Sequence, residues 1–152
     1  MILVIIPCGS RKIWDSNPHL GPTPAREAYT GAPFRVNRQY AELVGERWII
    51  LSAKYGLIDP ETVIEDYEVT FKKATTKPVG ISEIRKQLVQ LGLLQYDRVI
   101  ALGGKEYRLV LEQAFAGLPA KNLSFPFGGL PLGKAMQATK RAVAHLIARE
   151  GR

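Results

Sequence analysis

Apolar residues concentrate in four short blocks, and segments with helical spacing lie between them. Residues 1–6 (MILVII) form an unbroken run of mostly branched side chains, the pattern of a strand buried on both faces. Pro7 ends it, and a long loop over residues 7–24 carries Gly9, Pro18, Gly21 and Pro22. Thr23-Pro24 reads as a helix cap with proline at the first helical position. That helix, over residues 25–29, is short and stops at Gly31. A second is expected over residues 33–44, terminated by Gly45. Residues 47–53 hold the second buried strand, Trp48-Ile49-Ile50-Leu51, followed by a loop through Gly56 and Pro60. Residues 65–71 add a short extended piece, and the basic, threonine-bearing residues 72–78 are expected to be a mobile surface loop.

Ser82 is placed as the cap of a helix over residues 83–94, with Ile84, Leu88 and Leu91 on one face. Residues 97–102 (DRVIAL) are the third strand, broken by Gly103-Gly104, and residues 105–115 the next helix. Residues 122–125 are the fourth strand. The last helix covers residues 133–150, with Met136, Val143, Leu146 and Ile147 as its apolar stripe. This alternation predicts a single α/β domain over residues 1–152. Its architecture is a three-layer sandwich around a central, mostly parallel four-stranded sheet.

The chain has 152 residues, 46% hydrophobic and 23% charged, which fits a globular domain and argues against disorder. The opening apolar run is too short to span a bilayer and lacks a basic leader, so no membrane association is expected. One cysteine can make neither an internal disulfide nor a cysteine-based zinc site. A cytoplasmic location and no metal or cofactor are therefore expected. Lys and Arg total 21 against 14 for Asp and Glu, a formal charge of +7. Such an excess attracts polyanions, chiefly nucleic acid, or smaller phosphate-bearing ligands; the competing reading is a charge that only keeps the protein soluble.

In open parallel sheets, ligands bind beyond the carboxyl ends of the strands. Each strand here leads into a chemically rich loop. The first is Pro7-Cys8-Gly9-Ser10-Arg11-Lys12 and the second Ser52-Ala53-Lys54-Tyr55-Gly56. The third is Gly103-Gly104-Lys105-Glu106-Tyr107, and the fourth runs from Pro126-Phe127-Gly128-Gly129 to Gly133-Lys134. Each contributes a lysine, and Lys105 and Lys134 fall in first helical turns, where a cation is disfavoured unless an anion is bound. The alternative is that these lysines point into water. The stretch from Gly128 to Lys134 fits G-x-x-x-x-G-K, but Ala135 stands where Ser or Thr would hold magnesium, and Pro131 removes a cradle N–H.

Cys8, at a helix start near Arg11 and Lys12, has the setting of a lowered-pKa nucleophile; its other role is a small buried residue under the loop. Glu65 and Asp66 precede Tyr67, and a carboxylate among so many lysines stays ionised and able to act as a base. Trp14, Tyr29, Tyr55 and Tyr107 could stack on a base, with core packing the alternative for Tyr29 and Tyr107. His19 and His145 are too few for a metal site.

The runs PCGSRK, AREAYTGAPFRVNRQYAE and WIILSAKYGLIDPETVIEDYEVTF resemble DUF family 6884, a prokaryotic family of unknown function. The likeness extends to the late GGLPLGKAMQ segment. The block from Leu51 to Leu57 and on through Asp66-Tyr67 also looks like the S-x-x-Y-G-L…Y-R-L signature of the YaaA peroxide-stress family, implicated in DNA binding and protection. Here Tyr67-Glu68-Val69 stands where that family has Tyr-Arg-Leu. The opening resembles the P-C-x-x-x-K-P-Y-x-x-S-x-x-H motif of archaeosine synthase, which joins lysine to the nitrile of a deazaguanine base in tRNA. Pro7, Cys8 and Lys12 align, Ile13-Trp14 replaces Pro-Tyr, and Ser16 and His19 keep their spacing one residue early. The corresponding domain is similar in fold to uracil-DNA glycosylases, although their Asp beside a Pro-Tyr and late His-Pro-Ser are absent here. The resemblance implies that Cys8 and Lys12 position substrate while Ser52, Lys54 and Asp66 line the pocket.

The expected site therefore has Cys8, Lys12 and Asp66 as catalytic groups. The substrate would be held by Pro7, Gly9, Ser10, Tyr29, Ser52, Lys54, Tyr55, Gly103, Gly104, Lys105, Tyr107, Gly128, Gly129 and Lys134. The expected function is action on a nucleobase, nucleotide or nucleic acid, as an enzyme of base excision or base modification. The alternatives are a non-catalytic DNA-binding stress protein and a small-molecule nucleotide-binding enzyme.

Overall fold

Successive residues of a strand point to opposite faces. In the first strand, β1 (Ile2–Pro7), Leu3 and Ile5 enter one hydrophobic core while Val4 and Ile6 enter another, which is why the run contains no polar residue. The computed structural model of the protein describes residues 1–118 and 122–150. In chain order its remaining strands are β2 (Thr23–Pro24), β3 (Arg47–Ser52), β4 (Gly56–Ile58), β5 (Val63–Ile64), β6 (Arg98–Ala101) and β7 (Leu123–Ser124). Its helices are α1 (Ala25–Ala28), α2 (Ala32–Val44), α3 (Ile81–Gln90), α4 (Lys105–Phe115) and α5 (Leu132–Glu150).

The central sheet has five strands in the order β4-β3-β1-β6-β7. β3, β1, β6 and β7 are parallel, and β4 runs antiparallel to β3 at one edge. Phe34, Tyr40 and Ala41 of α2 and Val143 of α5 cover the Val4 and Ile6 face. Ile84 and Leu88 of α3, with Leu111, Ala114 and Phe115 of α4, cover the Leu3 and Ile5 face. The layers are thus helices, sheet, helices. Among the described residues no helix is long and apolar enough to cross a membrane.

The chain leaves β1 in one direction across the sheet, through α2 to β3, and returns over β1 through α3 to β6 on the other side. Opposite directions on opposite faces give crossovers of one hand. The direction reverses between β1 and β6, and at such a switch point the loops diverge and leave a crevice at the strand ends.

Several elements differ from the sequence expectation. The sheet has five strands, not four, because residues 52–56 make a tight turn and the chain doubles back as β4. Gly56 lies at φ +74°, and the Gln87 side chain fills the space a Cβ would need. Gln87 Oε1 accepts the Leu57 N–H at 2.7 Å, and Gln87 Nε2 donates to the Tyr55 carbonyl at 2.9 Å, so α3 fastens this turn. Thr23-Pro24 is not a cap and first turn: it pairs antiparallel with Val63-Ile64, and the Thr23 hydroxyl bonds the Gly21 carbonyl. The extended piece expected over residues 65–71 is displaced to that β5 pairing. Gly80, not Ser82, precedes α3, whose last residue is Gln90, with Gly92 in the left-handed region two residues later. Residues 72–78 contain a 3-10 turn at Ala74–Thr76 that their polar composition did not announce.

Ile5 is 0% exposed in the central strand. Ile5→Ala is expected to lose about 2–5 kcal/mol of stability. Val89→Ala, at a position 65% exposed on α3, should change it by less than about 0.5 kcal/mol. Urea unfolding followed by circular dichroism checks both.

Candidate functional site

The switch point opens into a cavity of about 1030 Å³. Its walls are the loop after β1, the start of α2, the strap over residues 68–76, the loop after β6 with the start of α4, and the loop joining β7 to α5. α2 and α4 begin on Gly31 and Gly104, neither of which supplies a side-chain cap. Their first-turn N–H groups carry the positive end of the helix dipole to the cavity wall. Five cationic side chains (Arg11, Lys12, Lys72, Lys73 and Lys105) share the wall with two carboxylates, Glu68 and Glu106. Phe34, Phe71, Tyr107 and Phe127 supply aromatic surface. Phe71 meets Tyr107 edge-on, with ring centres 5.5 Å apart.

Cys8 contributes to this wall although it is only 3% exposed. Its N–H donates to the Leu51 carbonyl at 3.1 Å, which prolongs the β1–β3 ladder past Pro7. No helix starts there, contrary to the sequence expectation; the next turn begins at Ile13. Cys8 Sγ lies 3.5 Å from the Tyr107 hydroxyl. Burial, and then the neighbouring Cys8, push the Tyr107 phenol well above its ordinary value near 10. Gly103, at φ +131°, allows this approach: a Cβ there would stand 3.1 Å from Tyr107 Cβ and 3.3 Å from Pro7 Cγ.

A second polar cluster lies close to Cys8. The Tyr67 hydroxyl is 2.6 Å from the Tyr29 hydroxyl and 3.0 Å from Ser52 Oγ. Ser52 Oγ also accepts the backbone N–H groups of Lys54 and Tyr55. Lys12 Nζ sits 4.4 Å from the centre of the Tyr67 ring and Lys54 Nζ 5.8 Å from it, while Tyr55 packs edge-on against that ring. Burial raises the pKa of both Tyr67 and Tyr29, and Cys8 is the next largest cause for each.

The residues singled out from the sequence thus separate into three groups. Pro7, Cys8, Gly9, Ser10 and Lys12 line the cavity, as do Gly103, Gly104, Lys105, Tyr107 and Gly128. Tyr29, Ser52, Lys54 and Tyr55 are not in its wall and belong to the tyrosine cluster. Asp66, Gly129 and Lys134 are exposed and lie outside the wall; Asp66 accepts the N–H of Tyr67 at 2.8 Å. Phe34, Phe71, Phe127, Lys72 and Lys73 line the cavity without having been singled out as site residues. Only the basic run after Phe71 was a usable signal, because an isolated phenylalanine looks the same in a core and in a pocket. Among the described residues no cluster of three or more His, Cys, Asp or Glu could hold a metal ion.

Fold and cavity define an α/β protein with a mostly parallel sheet and a large crevice beyond its strand ends. Residues 3–141 match the model of a family of unknown function, DUF6884, and the chain belongs to that family. It is also 35% identical over 143 residues to the uncharacterized protein YfjM of Bacillus subtilis (strain 168), covering 93% of this chain and 94% of that one. No solved structure matches.

Tyr67→Phe removes the hydroxyl shared by Tyr29 and Ser52 and is expected to cost about 1–3 kcal/mol, measured by urea unfolding. The buried tyrosines hold their protons more tightly in the folded than in the unfolded chain. Their contribution is therefore complete below the unfolded value of 10.0 and is lost as pH rises beyond it. Melting temperature should fall above that pH, less steeply in Tyr67→Phe. Phenolate absorbance should show Tyr29, Tyr67 and Tyr107 titrating later than an exposed tyrosine.

Proposed function

We propose that the protein binds a nucleotide unit, free or within a nucleic acid, in the cavity beside Cys8, and acts on its base as an excision or modification enzyme. The observation that carries this reading is the coincidence, in one cavity of ligand size, of flat aromatic walls with an excess of cations. A nucleotide needs both: a face to stack on and charge to receive its phosphate. Phe71 and Tyr107 form the corner against which the base packs. The Cys8 thiol and Tyr107 hydroxyl, in contact at one side of the cavity, are the pair assigned to the reacting base, and Lys12 positions it. Asp66, outside the wall, is assigned no contact with the ligand. The resemblance to the glycosylase-like domain of archaeosine synthase supports the same reading, because that likeness also implies a site at the strand ends; a uracil-DNA-glycosylase-like fold is part of the proposal.

A second reading, a DNA-binding protein without catalysis, is favoured by the formal charge of +7 and the exposed lysines of residues 72–77. It predicts binding with no turnover in the wild type.

A common nucleotide at one hundred times its dissociation constant should stabilise the fold by about 2.7 kcal/mol, visible as a rise of several degrees in melting temperature. Cys8→Ala should abolish turnover of a base-modified or base-released product, read by mass spectrometry, while nucleotide affinity stays within about threefold. Turnover unchanged in Cys8→Ala would remove Cys8 from the chemistry. Binding without any turnover in the wild type would favour the second reading. The nucleotide proposal fails if neither mononucleotides nor oligonucleotides raise the melting temperature.

A further inference from the structure

The strap over residues 68–76 is built from its own contacts. Thr76 Oγ1 accepts the Thr70 N–H at 3.1 Å and lies 2.7 Å from the Lys73 carbonyl and 3.0 Å from that of Thr70. The Lys72 N–H donates to Thr70 Oγ1, and the Thr76 N–H to the Lys73 carbonyl. One threonine hydroxyl therefore closes the turn and fixes where its tip projects. Phe71 docks that tip on Tyr107, so Lys72 and Lys73 stand on the cavity wall. Both are exposed, and among the described residues neither forms an ion pair. Arg11 and Lys12, on the loop after β1, add further cations to the same wall. Lys77, in the left-handed conformation after the turn, is equally exposed but outside the wall.

An internally tied turn that brings two unpaired cations to a cavity already carrying three more is poorly explained by solubility, which needs no particular side of the molecule. We infer that this strap makes the site selective for a phosphorylated ligand, Lys72 and Lys73 receiving the phosphate while Phe71 and Tyr107 pack against the base. This rests on the nucleotide reading above. The phosphate has two possible sources, the terminal monoester of a free nucleotide and the backbone diester of a nucleic acid strand.

The test measures affinities of the wild type, Lys72→Ala/Lys73→Ala and Lys77→Ala for four probe classes. These are the common ribonucleosides, their 5′-monophosphates, short single-stranded trinucleotides, and ribose 5-phosphate. The wild type should prefer a phosphorylated probe over its nucleoside by about tenfold or more, the size of one hydrogen bond to a charged group. The double variant should bring that ratio close to one without weakening nucleoside binding, and Lys77→Ala should retain it. Monophosphates binding tighter than trinucleotides assign the phosphate to a free nucleotide. The reverse order, with an affinity falling steeply in salt, assigns it to a strand.

Equal wild-type affinity for nucleoside, monophosphate and trinucleotide would overturn the inference and leave the base reading intact. So would a preference that survives in the double variant or disappears in Lys77→Ala. Ribose 5-phosphate binding that the double variant loses, with no nucleoside binding, would keep the phosphate role and overturn the base reading. Failure of every probe to bind would overturn both.

Discussion

β1 is hydrogen-bonded along both edges, to β3 and β6, and covered by a hydrophobic core on each face. Its last residues are therefore fixed by the whole domain. Pro7 still pairs with Leu51, and Cys8 still donates to the Leu51 carbonyl. On the other side, the Leu102 N–H donates to the Ile5 carbonyl and holds the end of β6 against β1. Cys8 and Tyr107 meet because two adjacent parallel strands end side by side and then send their chains to opposite faces.

Polar groups so close to the core need partners, since an unpaired buried hydroxyl is costly. Tyr29, Tyr67 and Ser52 satisfy one another, and Tyr107 contacts the thiol. Lysines cover the Tyr67 ring from the outside instead of pairing with carboxylates. A ring face attracts a cation without cancelling its charge, so Lys12 can steady Tyr67 and still contribute positive potential to the cavity. The cluster thus serves as structural support and, through Lys12, contributes one of the five cations of the cavity wall.

Elements with a strong local signature were legible in the sequence. The helix over residues 105–115 has the expected bounds, because Gly103-Gly104 break the strand and apolar spacing then carries the helix. The three strands β1, β3 and β6 follow their apolar runs to within a residue or two. What failed was short or paired at a distance. β4 has three residues and exists through β3 and Gln87; β2 and β5 have two each and exist only through each other. Thr23-Pro24 carries a good helix-start pattern, yet pairing with Val63-Ile64 overrode it. In the site, the glycine-rich loops after β1 and β6 could be placed at the strand ends from the alternation alone. The division of the aromatics could not. Tyr29 and Tyr55 went to the buried cluster, while Phe34, Phe71 and Phe127 went to the cavity.

The sequence by itself determined the layered α/β plan, the parallel core strands and the accumulation of positive charge, because each is written in local periodicity or composition. Only the tertiary structure decided which basic loops share a wall, that the strap over residues 68–76 reaches Tyr107, and that Asp66 and Lys134 stand apart from the cavity. The direction of a side chain at a strand end depends on which neighbouring strand its loop packs against. That is a long-range outcome of the crossovers, and no window of adjacent residues contains it.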